Sequence, residues 1–155
     1  MNIINTYWIG KEERDDFAKI ENHLIKISSK YSRISQTAIM NKEIQKRQSG
    51  GNISEIEQSY SNSLDKYISN SDFNIILDPL GKETTTEKFA NILENNSKVN
   101  FFIGGAYGFN REFLKKGDFV LSLSKLTMSH KVAKVMLFEQ IYRALTINNN
   151  HPYHK

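Results

Sequence analysis

The sequence has no cysteine and no long apolar run, and each absence removes a class of function. Without cysteine there is no disulfide framework, no thiol nucleophile and no thiolate metal site. No segment approaches the roughly 20 apolar residues that span a bilayer. The segment Met1 to Gly10 has no basic residue ahead of its apolar stretch, so we expect no secretory signal. These absences favour a cytoplasmic protein without a membrane partner.

Two common nucleotide-binding motifs are also missing. Neither the dinucleotide fingerprint G-x-G-x-x-G nor the phosphate loop G-x-x-x-x-G-K-[ST] occurs in the chain. The 155 residues are 39% hydrophobic and 25% charged, as in an ordinary globular protein, and we expect one domain over residues 1–155. The net charge of +4 permits a polyanionic partner without demanding one.

Strand-like and helix-like segments alternate along the chain. Strands are predicted at Ile3 to Ile9, Arg33 to Met40, Phe73 to Leu77, Val99 to Ile103 and Asp118 to Leu121. Helices are predicted at Glu12 to Lys30, Ile53 to Tyr67, from Thr84 onward, Asn110 to Lys116 and His130 to Ile147. This alternation predicts an α/β fold, a mostly parallel sheet with helices on both faces. The polar segment Asn41 to Asn52 is interpreted as a loop, and as a candidate mobile functional loop.

Two helices carry more specific expectations. Phe17, Ile20, Leu24 and Ile27 recur on one face of the first helix, which predicts a buried face. Thr84 stands at capping-box spacing and is expected to begin the helix that follows it.

The glycine loop Gly104 to Gly108 directly follows a buried strand candidate. Parallel sheets bind ligands at the carboxyl ends of their strands, so this loop either lines a pocket or is a tight turn that needs positive φ. The segment Ser122 to Thr127 alternates apolar and hydroxyl residues, and either continues a strand or wraps an adenosine. Because no phosphate loop exists, a nucleoside-type ligand is favoured over ATP or NAD.

Four segments in order resemble the RlmH family, the SPOUT-class 23S rRNA methyltransferases that methylate N3 of a pseudouridine. They are Leu77 to Lys82, Phe102 to Gly108, Leu121 to His130, and Tyr142 to Ala144 leading to Asn150 to His154. The resemblance covers essentially the whole chain. It implies a C-terminal trefoil knot, a homodimer and S-adenosylmethionine as cofactor. It also implies 23S rRNA within the assembled ribosome as the partner, rather than DNA.

The resemblance assigns site residues by motif match. The cofactor-binding candidates are Leu77, Gly104, Gly105, Leu123, Ser124, Lys125, Leu126, Thr127 and Met128. The catalytic candidates are Arg143, His130, Tyr153 and His154, and no metal is expected. Two departures are visible. Ser129 stands where many relatives have proline, and we expect it to loosen the turn into the last helix. The third residue of the glycine loop, which varies in the family, is Ala106 here.

Each catalytic candidate also has a structural alternative. Arg143 can pair with Glu139 four residues earlier, His130 can simply start a helix, and Tyr153 can pack at a dimer interface. The apolar stripe on the last helix around Ile141 is expected in the core or a dimer interface. Scattered cations are candidates for RNA phosphates, namely Lys42, Lys46, Arg47, Lys82, Lys125, Lys131 and Lys155.

Three functions therefore compete. The first is an rRNA methyltransferase, in which a cation or base helps N3 to lose its proton. The second is a non-catalytic RNA- or ribosome-binding dimer with the same fold. The third is a flavodoxin-like nucleotide-binding protein, which the missing phosphate loop disfavours.

Overall fold

The predicted alternation of strands and helices is present in the computed structural model, which describes residues 1–155. The strands are β1 (Asn2–Ile9), β2 (Ser32–Ile39), β3 (Phe73–Lys82), β4 (Lys98–Ile103) and β5 (Phe119–Leu121). The helices are α1 (Asp16–Ser28), α2 (Lys42–Gly50), α3 (Ile53–Leu64), α4 (Thr86–Asn95), α5 (Arg111–Leu114) and α6 (His130–Asn148). A 3-10 turn at Asp65–Tyr67 follows α3.

The five strands form one sheet in the order β2-β1-β4-β3-β5, and every neighbouring pair is parallel. Leu77 of β3 lies level with both Ile103 and Leu121, the last residues of β4 and β5, so the ends of these two strands flank the middle of β3. The order differs from the 2-1-3-4-5 order of flavodoxin-like sheets, which argues against that alternative. The mostly parallel sheet that the sequence predicted is confirmed.

Helices cover both faces of the sheet. Successive side chains of a strand point to opposite faces, and in β4 the side chains on both faces are apolar and buried. Phe101 of β4 is fully buried in one core with residues of α1, α4 and α6. The adjacent Phe102 is fully buried in a second core with residues of α2, α3 and α5. Burying one such side chain contributes about 1.5–3 kcal/mol, so β4 ties both helical layers to the sheet.

The segment predicted as a mobile loop is a helix instead, and that prediction is wrong. Asn41 caps α2, because its Oδ1 accepts a hydrogen bond from the backbone N–H of Ile44 at 2.9 Å. Ile44 is itself fully buried in the second core. One buried apolar residue and one cap therefore hold an otherwise polar helix in place. With a single apolar position, the segment shows no helical periodicity in its sequence.

Helix α1 begins later than predicted and buries less of its apolar face. It starts at Asp16, and Asp15 caps it by accepting from the backbone N–H of Ala18 at 2.9 Å. Leu24 is buried as expected, but Phe17 and Ile20 are 39% and 48% exposed. The exposed pair lies in the first turns of the helix, beyond the edge of the core.

Two further boundaries differ from expectation. Thr85, not Thr84, caps α4, accepting from the backbone N–H of Lys88 at 3.2 Å. Strand β3 was predicted to end at Leu77 but continues to Lys82. Leu77 and Lys82 both pair with Leu121, so the residues between them bulge out of the ladder. The trefoil knot stays a prediction.

Candidate functional site

A cavity of about 340 Å³ opens where β3, β4 and β5 end and α6 begins. Eight of the nine predicted cofactor residues line it, namely Leu77, Gly104, Gly105, Leu123, Ser124, Leu126, Thr127 and Met128. Three separate stretches of chain therefore meet at the carboxyl edge of the sheet, which is where parallel α/β folds bind their ligands.

Lys125 is the predicted cofactor residue that does not line this cavity. Its side chain is 89% exposed, and its Nζ lies 3.9 Å from Oε1 of Glu83. The resemblance assigned every residue from Leu123 to Met128 to the cofactor, whereas the loop directs the side chain of Lys125 outward. Any contact of Lys125 with a ligand in the cavity would use its backbone atoms.

The glycines of the loop after β4 serve two different physical needs. Gly108 has a φ of 72°, a conformation that favours glycine. Gly105 has no positive φ, but a Cβ there would lie 2.6 Å from Oη of Tyr60. That hydroxyl also accepts a hydrogen bond from Nε2 of Gln48 at 2.6 Å, so it is held in place. The loop is thus both a tight turn and a close-packed wall of the cavity.

The segment after β5 is a folded loop, so the alternative of a continued strand is wrong. Oγ of Ser122 donates to the backbone carbonyl of Ser124 at 3.0 Å. Oγ of Ser124 in turn accepts from the backbone N–H of Leu126 at 3.0 Å. Short hydroxyl side chains compete with strand pairing in this way, and here they shape one side of the cavity.

The chemistry of the lining restricts what the cavity can hold. Asp78 and His130 are its only ionisable residues, and no lysine or arginine lines it. Leu77, Ile103 and Leu121 provide apolar walls beside the exposed backbone of the glycine loop. A phosphate would find no cation here, whereas a flat base would find apolar surface and backbone hydrogen-bonding groups. The lining suits a nucleoside without phosphates.

Ser129 and His130 form the junction between the cavity and α6. Oγ of Ser129 accepts from the backbone N–H of Val132 at 3.3 Å and caps the helix. Serine thus supplies a cap that proline lacks, while the expected loosening of this turn stays a prediction. His130 is the first residue of α6 and also lines the cavity, so it both starts the helix and lies at the candidate site.

The other three catalytic candidates form a cluster near the end of α6. Nε and Nη2 of Arg143 donate to Oε1 of Glu139 at 3.0 and 2.7 Å, so the expected ion pair is present. Oη of Tyr153 donates to the same oxygen at 3.1 Å, and its ring centroid lies 4.7 Å from Cζ of Arg143. Nδ1 of His154 lies 3.3 Å from Nη1 of Arg143. One carboxylate therefore orients this cluster.

The protonation of the cluster follows from these contacts. Hydrogen bonds with Glu139 raise the pKa of Arg143, which stays a cation. Burial and the same carboxylate raise the pKa of Tyr153, which therefore stays a neutral donor at neutral pH. Nε2 of His154 lies 3.3 Å from Oε1 of Glu87. A backbone hydrogen bond and this contact lower the pKa of Glu87. Glu87 has no sequence signal beyond its place in the capping motif.

The cluster and the cavity lie at different ends of one helix. His130 and Arg143 are thirteen positions apart on the helix, which is about 20 Å at 1.5 Å per residue. Neither Arg143, Tyr153 nor His154 lines the cavity. The structure thus brings three of the four catalytic candidates together, but not at the cavity where the fourth lies.

Several of the predicted RNA-contacting cations are already paired with carboxylates. Lys131 pairs with Glu13 and Asp15, and Nη1 of Arg47 lies 2.7 Å from Glu55. The predicted cations that form no ion pair are Lys42, Lys46, Lys82 and Lys155. These unpaired lysines remain the stronger candidates for phosphate contact.

The structure contains neither a membrane-spanning helix nor a cluster of metal-ligating side chains. None of the helices combines the length and apolar character that a membrane span requires. No three His, Asp or Glu side chains lie in an arrangement that could hold a metal ion.

Residues 1–154 match a family whose description reads predicted SPOUT methyltransferase. The chain is 51% identical over 152 residues to ribosomal RNA large subunit methyltransferase H of Aliarcobacter butzleri, covering 98% of this chain and 99% of that relative. It is 44% identical over 155 residues to the protein of the same name from a Nitratiruptor species, covering all of both chains. A probable methylase family protein from Haemophilus influenzae Rd KW20 shares the fold, with a TM-score of 0.57 at 12% identity over 98% of this chain and 70% of that one.

Proposed function

The chain belongs to the SPOUT methyltransferase family and, within it, to the RlmH family, and from this we propose that it methylates N3 of a pseudouridine in 23S ribosomal RNA. The methyl donor that we propose is S-adenosylmethionine. The proposed substrate is the RNA within an assembled ribosome in the cytoplasm. The single observation that carries the proposal is the cavity at the carboxyl edge of β3, β4 and β5, assembled from three of the four segments that carry the family resemblance.

The residues around the cavity fit this donor. S-adenosylmethionine, when bound, supplies a methyl group already activated on a sulfonium. Its adenosine carries no phosphate, in agreement with a lining that has no lysine or arginine. The apolar side chains of Leu77, Leu121 and Leu123 would cover the adenine faces, and the backbone of Gly104 and Gly105 would contact its polar edges.

Arg143 has the properties that are needed to help N3 of the pseudouridine lose its proton. The imide N3 of pseudouridine becomes negatively charged as its proton leaves, and a fixed cation lowers the free energy of that state. Glu139 holds the guanidinium through two hydrogen bonds, so little reorganisation is required at the moment of reaction. Tyr153 and His154 pack beside it and complete a surface for the base.

The separation of cluster and cavity supports a homodimer. Arg143 lies about 20 Å along α6 from His130, too far for both to contact one base in one chain. A second copy related by a twofold axis would present its own cluster to the cavity of the first. We therefore propose that each site combines the cavity of one protomer with Arg143, Tyr153 and His154 of its partner.

The proposal is tested by transfer of labelled methyl from S-adenosylmethionine to ribosomes from a strain that lacks this protein. Assembled ribosomes, free subunits and bare RNA are compared, and the modified base is identified by mass. We expect incorporation at one pseudouridine, strongest in assembled ribosomes, because shape contributes to RNA recognition. A folded dimer that binds the cofactor but methylates none of them would instead favour the non-catalytic RNA-binding alternative.

The shared site is tested by mixing two impaired variants at a cofactor concentration too low to load the weaker binder. Arg143→Ala should keep cofactor binding and lose at least tenfold in turnover, and Gly105→Ala should weaken cofactor binding. Refolding them together should restore about a quarter of wild-type activity, since about half of the dimers are mixed and each carries one complete site. The exposed Arg111→Ala serves as the matched control for loss of an arginine. No recovery on mixing would place the whole site within one chain.

A further inference from the structure

Side-chain hydrogen bonds join the first turn of α4 to the cluster at the end of α6 from two sides. On one side, Oγ1 of Thr86 donates to Oε1 of Gln140 at 2.9 Å, and Nε2 of Gln140 donates to Oε2 of Glu139 at 2.8 Å. On the other side, Oε1 of Glu87 lies 3.3 Å from Nε2 of His154. Thr86 and Glu87 are adjacent, so one helical turn contacts both ends of the cluster.

The contact from Gln140 completes the set of donors around Glu139. Oε1 of Glu139 accepts from Nε and Nη2 of Arg143 and from Oη of Tyr153, and Oε2 accepts from Gln140. A carboxylate offers about four lone pairs, so these donors occupy it. Glu139 is therefore a support for the guanidinium and is not free to take a proton from a substrate.

The neighbours of His154 determine which ring nitrogen carries the proton. Nδ1 lies 3.3 Å from Nη1 of Arg143, and a guanidinium nitrogen can only donate, so Nδ1 accepts and has no proton. Nε2 faces the carboxylate of Glu87, whose pKa is lowered by a backbone hydrogen bond and by this contact. A carboxylate can only accept, so the proton of His154 lies on Nε2.

We propose that Glu87 is a positioning residue for methyl transfer, because it holds the ring of His154 so that Nδ1 accepts from Arg143. This inference rests on the proposed function. The guanidinium is then fixed at Nε, Nη2 and Nη1, which leaves one N–H on each Nη to donate to the target base. His154 thus acts through Arg143 and does not take the proton from N3, because both of its nitrogens are engaged.

Steady-state methylation of ribosomes by the full-length protein tests Glu87 by rescue and by a matched control. Glu87→Ala should lower kcat about fivefold and leave the KM for ribosomes within about twofold, because the lost contact orients a group and binds no RNA. The loss stays modest because the side chain is 66% exposed and water can partly replace it. Glu87→Gln should restore most of the loss, since its amide oxygen can accept from Nε2 of His154. Glu94→Ala, an exposed glutamate at the other end of α4, should leave kcat unchanged. An unchanged kcat in Glu87→Ala would overturn the inference.

His154→Asn separates positioning from a structural role of Glu87. The side-chain oxygen of asparagine takes the place of Nδ1 and can accept from Arg143, but asparagine has no counterpart of Nε2. This variant should keep kcat within about tenfold of wild type, and adding Glu87→Ala should cost nothing more. If Glu87 only stabilised α4, its replacement would cost as much here as in wild type. If His154 were the base for N3, His154→Asn would lose on the order of 10²–10⁴ in kcat. Either result would refute the positioning role.

Nitrogen-15 NMR of the four labelled histidines shows ring protonation without any methylation. At about pH 8 an ordinary histidine is neutral and exchanges its proton between both nitrogens, and the exposed His23 is the reference. We expect His154 to carry its proton on Nε2 alone, and to approach the mixture of His23 in Glu87→Ala. A proton on Nδ1, or a wild-type mixture like that of His23, would contradict the inference. If the expected pattern is found but ribosomes are never methylated, the proposed function fails while the contact between Glu87 and His154 stands. Methylation with no effect of Glu87→Ala refutes only the positioning role.

Discussion

The buried ion pair between Lys134 of α6 and Glu21 of α1 gives the sharpest test of the energetics. Nζ of Lys134 lies 3.1 Å from Oε2 of Glu21, and the two side chains are 7% and 3% exposed. The same Nζ lies 3.4 Å from the ring centroid of Trp8. Replacing Lys134 by methionine keeps most of the volume but leaves the carboxylate of Glu21 buried without a partner. We expect Lys134→Met to lower the free energy of unfolding by about 3–5 kcal/mol.

The double variant should behave very differently from either single one. Glu21→Leu combined with Lys134→Met removes both charges and their desolvation penalty together. Such replacements are often neutral or stabilising, so we expect the double variant to lie within about 1 kcal/mol of wild type or above it. The coupling between the two positions should then exceed about 2 kcal/mol, a large value for one pair of residues.

Urea unfolding followed by far-ultraviolet circular dichroism measures these differences. With a slope of about 1–3 kcal/mol per molar urea, a loss of about 3 kcal/mol shifts the midpoint by about 1–3 M. Protein concentration must be held constant, since association shifts apparent stability. Lys19→Met is the control, because its pair with Asp16 at 3.3 Å has side chains 76% and 94% exposed and should contribute less than about 1 kcal/mol. A Lys134→Met loss no larger than the control's would refute the reasoning.

Three further predictions concern the glycine loop, the cap of α6 and the ion pair between Lys131 and Asp15. Gly105→Ala should weaken S-adenosylhomocysteine binding on the order of tenfold by calorimetry, because its methyl would lie 2.6 Å from Oη and 2.8 Å from Cζ of Tyr60. Gly50→Ala, with nothing within 4 Å, should leave binding unchanged and is the matched control. Ser129→Ala should lower the free energy of unfolding by about 1 kcal/mol through loss of the α6 cap, and an unchanged urea midpoint would contradict this. The hydrogen bond from Lys131 holds the pKa of the Asp15 carboxyl well below its usual range. The ionised Asp15 carboxylate therefore stabilises the folded protein fully above about pH 4, and this stabilisation is lost as the pH falls further. Wild type should exceed Asp15→Asn in thermal stability at pH 7 and approach it towards pH 3, and a constant difference would refute the assignment.

Prediction from the sequence succeeded where local pattern and tertiary structure agree. The apolar run ending at Ile103 is buried on both faces, and its composition alone predicts a central parallel strand. The prediction for the segment that forms α2 failed because its single buried residue, Ile44, can be recognised only in the folded second core. The outward turn of Lys125 also depends on serine hydrogen bonds within its loop.

The walls of the cavity show what contiguous motifs can predict. They are unbroken segments that follow strands, so the motifs predicted them. Trp8 and Gln36, in contrast, lie far apart in the chain and share one face of the sheet only because β1 and β2 pair in one register. A shift by one residue would send either side chain to the other face of the sheet. No sequence motif encodes that register, so this juxtaposition could be found only in the folded chain.

Helix α6 decides how the proposed site must be assembled. Its 19 residues span about 28 Å. Leu137, Phe138 and Ile141 in its middle are 0%, 1% and 0% exposed, so bending the helix would uncover side chains that each contribute about 1.5–3 kcal/mol. Bending of α6 therefore does not bring Arg143 to the cavity of its own chain, and under the proposed shared site a second copy supplies it. Methyl transfer per protein should fall as dilution separates the protomers, in step with the dimer fraction measured by sedimentation. Activity that stays constant through dissociation would mean that one chain suffices.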